Sequence, residues 1–286
     1  MRLATIRLTQ EGRTAAARID GEDVVLLPFN DVGELLSSGE GWQERALTEG
    51  RREQLSNVRL APVVPRPSKV LCVGLNYLRH VREHGGDVPS YPSLFAKFFD
   101  ALTGPYDEIV LPAASECVDW EAELVVVVGR STRCATLDEA EAAIAGFTVG
   151  NDVSMRDWQG RTSQWLQGKT WEASSPVGPA LVTVDELGGA RPDLAISCVV
   201  DGETMQEART TDLLFDPVEV VAYVSTIVTL RPGDLIFTGT PDGVGMARTP
   251  PIFLHDGQVV VTRIEKIGQL VNRFLARRPT GQRSDP

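Results

Sequence analysis

Cysteine is scarce in this sequence: Cys72, Cys117, Cys134 and Cys198 lie far apart and form no CxxC pair. A disulfide framework is therefore not expected, and the thiols read as reduced, mostly buried groups of a cytoplasmic protein. Basic charge is also in deficit. Lys and Arg number 28 against 39 Asp and Glu, a formal net charge of -11. Neutralising phosphates needs the opposite surplus, so nucleic acid is not an expected partner. An anionic small molecule stays admissible, because a local field can oppose the global one. Long apolar runs are missing too. Nothing approaches a membrane span, and Met1-Arg2-Leu3-Ala4-Thr5 does not begin a signal-type segment. What is present is an ordinary globular balance, in a chain long enough for one large core and a smaller module.

Residues 1–64 read as the small module, of mixed α+β character. Short strands are expected at Leu3 to Leu8, Ala15 to Ile19 and Val24 to Leu27, followed by helices at Val32 to Leu36 and Trp42 to Glu49. In Ala61-Pro62-Val63-Val64-Pro65-Arg66-Pro67 the prolines forbid helix and suit an extended linker. Residues 65–278 read as a larger domain with strands at Lys69–Val73, Leu124–Val128, Ala180–Val184, Ala195–Val200, Leu235–Thr238 and Gln258–Ile264. Thr136-Leu137-Asp138-Glu139 is a capping box whose helix is expected to end at Gly146. Asp216-Pro217-Val218-Glu219 starts a second helix, with proline at its first position and Val220, Val221, Val224 and Val228 behind it. Strands outnumber helices and do not alternate with them regularly. That makes the chain β-rich α+β and argues against a doubly wound parallel sheet. Residues 279–286 read as a disordered tail.

Chemistry concentrates in three places. Asp119-Trp120-Glu121-Ala122-Glu123 runs straight into Leu124-Val125-Val126-Val127-Val128. As a strand, this puts Glu121 and Glu123 on one face, roughly 6–7 Å apart, with Trp120 and Ala122 on the other. Solvated acids on an exposed edge are the plain alternative. The apolar run behind them, however, suggests burial on both faces, where paired acids need a cation, and oxygen ligands suit Mg²⁺, Mn²⁺ or Ca²⁺. The second place is Asn151-Asp152-Val153-Ser154-Met155-Arg156-Asp157-Trp158-Gln159. Here Asp152 could be a third ligand, and Arg156 and Gln159 could recognise a carboxylate; an Asx-rich loop with a local ion pair is the alternative. In the third, His80 and Glu83 share a helical face at i, i+3, the spacing at which a carboxylate orients an imidazole for base catalysis. His84 reads as a loop residue and His255 as surface.

In this order the blocks resemble the fumarylacetoacetate hydrolase family. The matching stretches are Val73-Gly74-Leu75-Asn76-Tyr77 with His80 and Glu83, and Leu94-Phe95-Ala96-Lys97. They continue with Asp119 to Leu124, Asn151 to Ser154 with Arg156, Asp157 and Gln159, and Gly168-Lys169. Pro176-Val177-Gly178-Pro179, Leu230 to Asp234 and Thr238 to Gly245 complete the set. The resemblance spans about Pro67 to Phe274. It implies a mixed β-roll or sandwich of mostly antiparallel strands, a homodimer, and a divalent cation, Mg²⁺ or Mn²⁺ with Ca²⁺ as a substitute. It also implies metal ligands at Glu121, Glu123 and Asp152, catalytic residues at His80, Glu83 and Lys169, and substrate contacts at Arg156, Gln159 and Thr240. The substrate implied is a small 2-oxo acid. The leading expectation is hydrolysis of a C–C bond in an acylpyruvate, with His80 and Glu83 activating water and Lys169 stabilising oxyanion charge. Oxaloacetate decarboxylation and 2-hydroxydienoate isomerisation are the alternatives on the same site. A metal-dependent phosphodiesterase and a silent metabolite-binding relative are more remote, since the chain lacks a basic groove and fills every catalytic position. The sequence departs from the family at Gly257-Gln258, where Gly-Asp is usual. It departs again at Trp171-Glu172-Ala173-Ser174, where Phe-Asp-Thr-Phe is usual, a stretch expected near the pocket.

Overall fold

The run Ala122–Val128 shows how the molecule is layered. Its β-branched residues form a strand buried on both faces. Ala122, Leu124, Val126 and Val128 enter one apolar core with Phe147, Ile196, Val221 and Leu270. Val125 and Val127 enter another with Leu35, Val64, Leu181 and Phe237. Two-residue periodicity thus divides one strand between two cores. The computed structural model describes residues 1–8, 12–83, 85 and 87–276. The expected loop residue His84 and the expected tail at 279–286 lie outside them.

The larger sheet is mixed. In order it runs Arg52–Gln54, Asp23–Leu26, Thr14–Asp20, Arg2–Arg7, Ser175–Thr183, Ile144–Asn151, Ala122–Val128, Leu235–Phe237, Val70–Gly74 and Ser93–Lys97. Leu235–Phe237 and Val70–Gly74 pair in parallel, and the other neighbours along this path are antiparallel. The strands of the first sixty residues therefore extend the central sheet through Leu3 opposite Leu181. A second sheet, Glu203–Arg209, Ala195–Val200, Val259–Ile264, Gly268–Ala276 and Ile109–Leu111, closes the first core from the other side. The two well-signalled helices pack on each other. The helix Pro217–Ile227 is capped by Asp216, whose carboxylate accepts from the backbone N–H of Val218 and Glu219 at 2.8 and 2.9 Å. No described helix is long and apolar enough to cross a membrane.

Some expected boundaries move. The helix that begins behind Thr136 ends at Ala143, and Gly146 lies inside the strand Ile144–Asn151. Glycine there serves close strand approach and not helix termination, for a Cβ would sit 2.0 Å from the carbonyl oxygen of Val182. The second short helix stops at Ala46, short of the expected Glu49; Arg18 Nη1 donates to the Ala46 carbonyl at 2.6 Å and Thr48 Oγ1 to that of Arg45 at 2.8 Å, which satisfies the helix end. All four cysteines are free thiols, with Cys72 and Cys198 buried, and His255 is exposed.

Candidate active site and metal centre

Strand register builds the acidic cluster. Ala122 lies opposite Asn151. At this end of the pair the backbone N–H of Asp152 donates to the Glu121 carbonyl, and that of Glu121 donates to Asn151 Oδ1, both at 2.9 Å. These bonds set Glu121, Glu123 and Asp152 on one side, with carboxylate oxygens within 4.8 Å of one another and all three side chains buried. Trp120 and Ala122 turn the other way into the core.

Such a cluster is unfavourable without cations, and three are built in. Lys169 Nζ lies 2.6 Å from Glu121 Oε2 and 3.1 Å from Asp152 Oδ2, while Lys97 Nζ contacts Asp152 Oδ1. Arg156 donates Nε to Asp119 Oδ2 at 2.8 Å and Nη1 to Gln159 Oε1 at 2.9 Å, and its Nη1 pairs with Glu121 Oε1 at 2.7 Å. Its Nη2 is buried and has no hydrogen-bond partner among the described residues. Burial opposes ionisation of Glu121, but Lys169 and Arg156 outweigh it and hold the carboxyl down at about 2. Burial works against the ammonium of Lys169 as well, and Asp152 and Glu121 reverse it, so its pKa rises. Glu123 goes the other way. Burial first, then Asp152 and Glu121, pushes it well above the ordinary carboxylate range, although Lys169 and the N–H of Gly239, 2.7 Å from Oε2, oppose the shift. Among the described residues four acids, counting Asp119, face three cations here. The uncompensated carboxylate and the oxygen-only donor set fit a hard divalent cation held by Glu121, Glu123 and Asp152.

The dyad stands across the same cavity. His80 and Glu83 lie on the helix Leu78–Glu83, with Nδ1 3.1 Å from Glu83 Oε2. Glu83 is anchored in turn by the N–H of Gly243, 3.0 Å from Oε1. The cavity, about 410 Å³, is walled by His80, Glu121, Glu123, Arg156, Gln159, Lys169 and Thr240, with Phe95 and Trp165 as an aromatic side. These two rings meet edge to face at 5.5 Å, and Gly74 makes room for the indole, since a Cβ there would approach Trp165 to 2.4 Å. Asp152 and Glu83 stand behind the wall and touch it through Lys169 and His80. A larger cavity of about 670 Å³ between Trp42, Arg130 and Asp185 contains neither triad nor dyad. The Trp171–Ser174 stretch, expected near the pocket, is not among the cavity's lining residues; Trp171 instead packs edge to face on Trp158 at 5.2 Å.

Two neighbours of the site carried no role in the sequence reading, Lys97 and Asp119. Lys97 ends a strand whose burial could not be read from Ser93-Leu94-Phe95-Ala96 alone. Asp119 accepts from the N–H of Trp120, Gly245 and Met246 as well as from Arg156, so one buried carboxylate ties the arginine to the loop after Phe237.

Comparison with known proteins gives this arrangement a family. The profile described as fumarylacetoacetate (FAA) hydrolase, C-terminal, matches residues 69–275. A mitochondrial oxaloacetate tautomerase of Bos taurus is 50% identical over 218 residues, 76% of this chain and 69% of that protein. The 5-carboxymethyl-2-hydroxymuconate delta-isomerase of Mycobacterium smegmatis superposes with a TM-score of 0.79 at 34% identity, covering 97% of this chain and all of that one. The fumarylpyruvate hydrolase of Pseudomonas aeruginosa, solved with Mn²⁺ and pyruvate, superposes with a TM-score of 0.68 at 33% identity, covering 77% of this chain and 92% of that one. The chain belongs to the fumarylacetoacetate hydrolase family.

Proposed function

We propose that this protein is a divalent-cation-dependent enzyme of small 2-oxo acids, and that its reaction is keto–enol tautomerisation of a 2-oxo diacid of the oxaloacetate class. The observation that carries the reading is one pocket lined by a hydrogen-bonded histidine, two carboxylates of a buried acidic triad, and two cations. The activity named for the bovine relative supports tautomerisation over the acylpyruvate hydrolysis that the sequence first suggested. Glu121, Glu123 and Asp152 would hold the cation, Mg²⁺ or Mn²⁺, which supplies Lewis-acid polarisation of the 2-oxo group. Glu83 accepts a hydrogen bond from His80 Nδ1–H and so fixes the tautomer in which Nε2 carries the lone pair. Nε2 takes a proton from C3 of the keto form, and the 2-oxygen of the resulting enolate takes a proton from water to give the enol. In reverse the enol O–H proton is lost to water and Nε2 returns a proton to C3. Arg156 binds the distal carboxylate with Gln159 beside it, and Lys169 stabilises charge that develops on oxygen. Phe95 and Trp165 keep one side of the cavity dry.

Hydrolysis of an acylpyruvate is the second reading, favoured by the pyruvate complex of the Pseudomonas aeruginosa neighbour. The same Nε2 would then take its proton from water. The deciding experiment supplies Mg²⁺-loaded protein with oxaloacetate in D₂O and follows C3 deuteration, keto–enol interconversion and pyruvate release, with an acylpyruvate panel in parallel. Fast exchange and interconversion with slow pyruvate release are expected, and His80→Ala should lower exchange by roughly 10²-fold or more. Carbon–carbon cleavage of an acylpyruvate outrunning exchange would move the assignment to the hydrolase. Decarboxylation outrunning exchange would move it to the decarboxylase. A homodimer belongs to the same reading, supported by the exposed apolar Phe98, Phe99, Tyr106 and Val110; a monomer mass by light scattering would remove it.

A further inference from the structure

Gln206 lies outside every motif of the family resemblance, on the strand Glu203–Arg209. It is nonetheless buried and fully engaged. Its Oε1 accepts from the backbone N–H of Ala122 at 2.9 Å, and its Nε2 donates to the Pro241 carbonyl and to Thr240 Oγ1, both at 2.8 Å. A backbone N–H can only donate and a carbonyl can only accept, so these two groups fix which end of the amide faces Thr240. Thr240 Oγ1 is therefore the acceptor in that bond, and Gln206 is its only hydrogen-bond partner among the described residues. The hydroxyl keeps its proton for something else. Thr240 is buried in the protein yet lines the pocket with Glu121, Glu123, Arg156 and Lys169, so that something is the ligand.

We infer that Gln206 is a positioning residue that turns the Thr240 hydroxyl proton toward an anionic oxygen of the bound 2-oxo acid. With Gln206 donating to one of its two lone pairs and no described residue taking its proton, the hydroxyl is biased toward donation, which favours carboxylate or 2-oxo oxygen over ligand groups that would donate to it, such as an amide N–H. The same amide spans from the backbone between Glu121 and Glu123 to the loop that carries Thr240, so acceptor and donor ends are held at a fixed separation. This inference rests on the 2-oxo acid reading, but it concerns binding and not the reaction.

The test is a double-mutant cycle read by calorimetric titration of oxalate into Mg²⁺-loaded protein, with Mg²⁺ affinity and melting measured for each variant. Thr240→Val and Gln206→Met should each weaken oxalate by about ten- to a hundredfold, the range for a lost hydrogen bond to a charged group. The double variant should be little weaker than either single one, because Gln206 acts through Thr240. Thr240→Ser keeps the hydroxyl and should keep most of the affinity. Oxamate, which replaces one carboxylate by an amide, should lose less than oxalate in Thr240→Val. Fully additive losses, or wild-type affinity in Thr240→Val, overturn the inference; the second result decides even if Gln206→Met does not fold. Oxalate binding with the expected coupling in a protein that exchanges no C3 proton of oxaloacetate would sink the tautomerase reading and leave this one standing. A wild-type protein that does not bind oxalate removes both.

Discussion

Lys169 has two duties that separate by substitution. Its ammonium bridges Glu121 and Asp152, two of the three carboxylates that would hold the cation, and it also faces the pocket. Removing it takes away a positive charge that competes with the metal. Lys169→Ala should accordingly bind Mg²⁺ at least as tightly as the wild type, while losing roughly 10²-fold or more in rate as the charge on substrate oxygen goes unmet. Glu123→Ala should do the reverse at the binding step and lose metal, since it deletes one of three oxygen donors and leaves its neighbours paired with Lys97 and Lys169. Calorimetry with Mg²⁺ and a single-turnover rate on each variant check both statements. Metal lost by the lysine variant and kept by the glutamate variant would exchange the two roles. The distinction comes from environment: both side chains are buried, but burial, Asp152 and Glu121 together raise the carboxyl of Glu123 despite Lys169 and Gly239, whereas Asp152 and Glu121 raise Lys169 against burial.

At the scale of elements, what was legible in the sequence depended on whether the signal was local. The helix Pro217–Ile227 carries its own start, because Asp216, Pro217 and Glu219 satisfy its first N–H groups within four residues. The strand Ala122–Val128 was equally plain, and with it the shared face of Glu121 and Glu123, for a β-branched run admits little else. Ile144–Asn151 was hidden by Gly146 and Gly150, which look like terminators. Their reason is packing against other strands, as a Cβ on Gly150 would come within 2.6 Å of the Phe237 ring. Glu203–Arg209 was missed because its exposed face is charged and Gln206 is its one fully buried residue, with Met205 and Ala208 only partly buried against the core, too weak a pattern to read as alternation. The site followed the same rule. The spacing of the acids and of His80 and Glu83 was visible but left the plain alternatives open, and their expected roles came from the family resemblance. Lys97 and Gln206 meet partners 55 and 84 residues away, Asp152 and Ala122, which no local pattern shows.

The whole molecule is held together by contacts of that long-range kind, and the first strand supplies a part-buried example that can be measured. Arg2–Arg7 lies in the central sheet, and Arg7 reaches Asp107 beyond the site's own strands, with Nη1 2.6 Å from Oδ1 and Nη2 against Oδ2. Asp107 also accepts from Thr103 Oγ1 at 2.9 Å and from the N–H of Gly104 at 2.7 Å. Partial burial works to raise its carboxyl, and the Arg7 and Gly104 hydrogen bonds overcome that and hold it below the ordinary 3.8. A carboxyl depressed in the folded state binds its proton more readily when unfolded. Its contribution to stability is thus complete above the ordinary value and is lost as pH falls through the lowered one. Asp107→Asn removes the charge and weakens the bidentate pair, so it should lower the melting temperature at neutral pH. The cost is of the order of 1–3 kcal/mol for hydrogen bonds to a charged group, or several degrees in a chain of this size. The difference should then shrink as both proteins are taken from about pH 5 to about pH 3, because the wild type alone gives up this term. Metal affinity at neutral pH should not change, since Asp107 touches none of the triad. Melting curves that stay parallel through the acid range would mean that the Arg7–Asp107 pair does not couple the N-terminal strand to the rest of the molecule through charge.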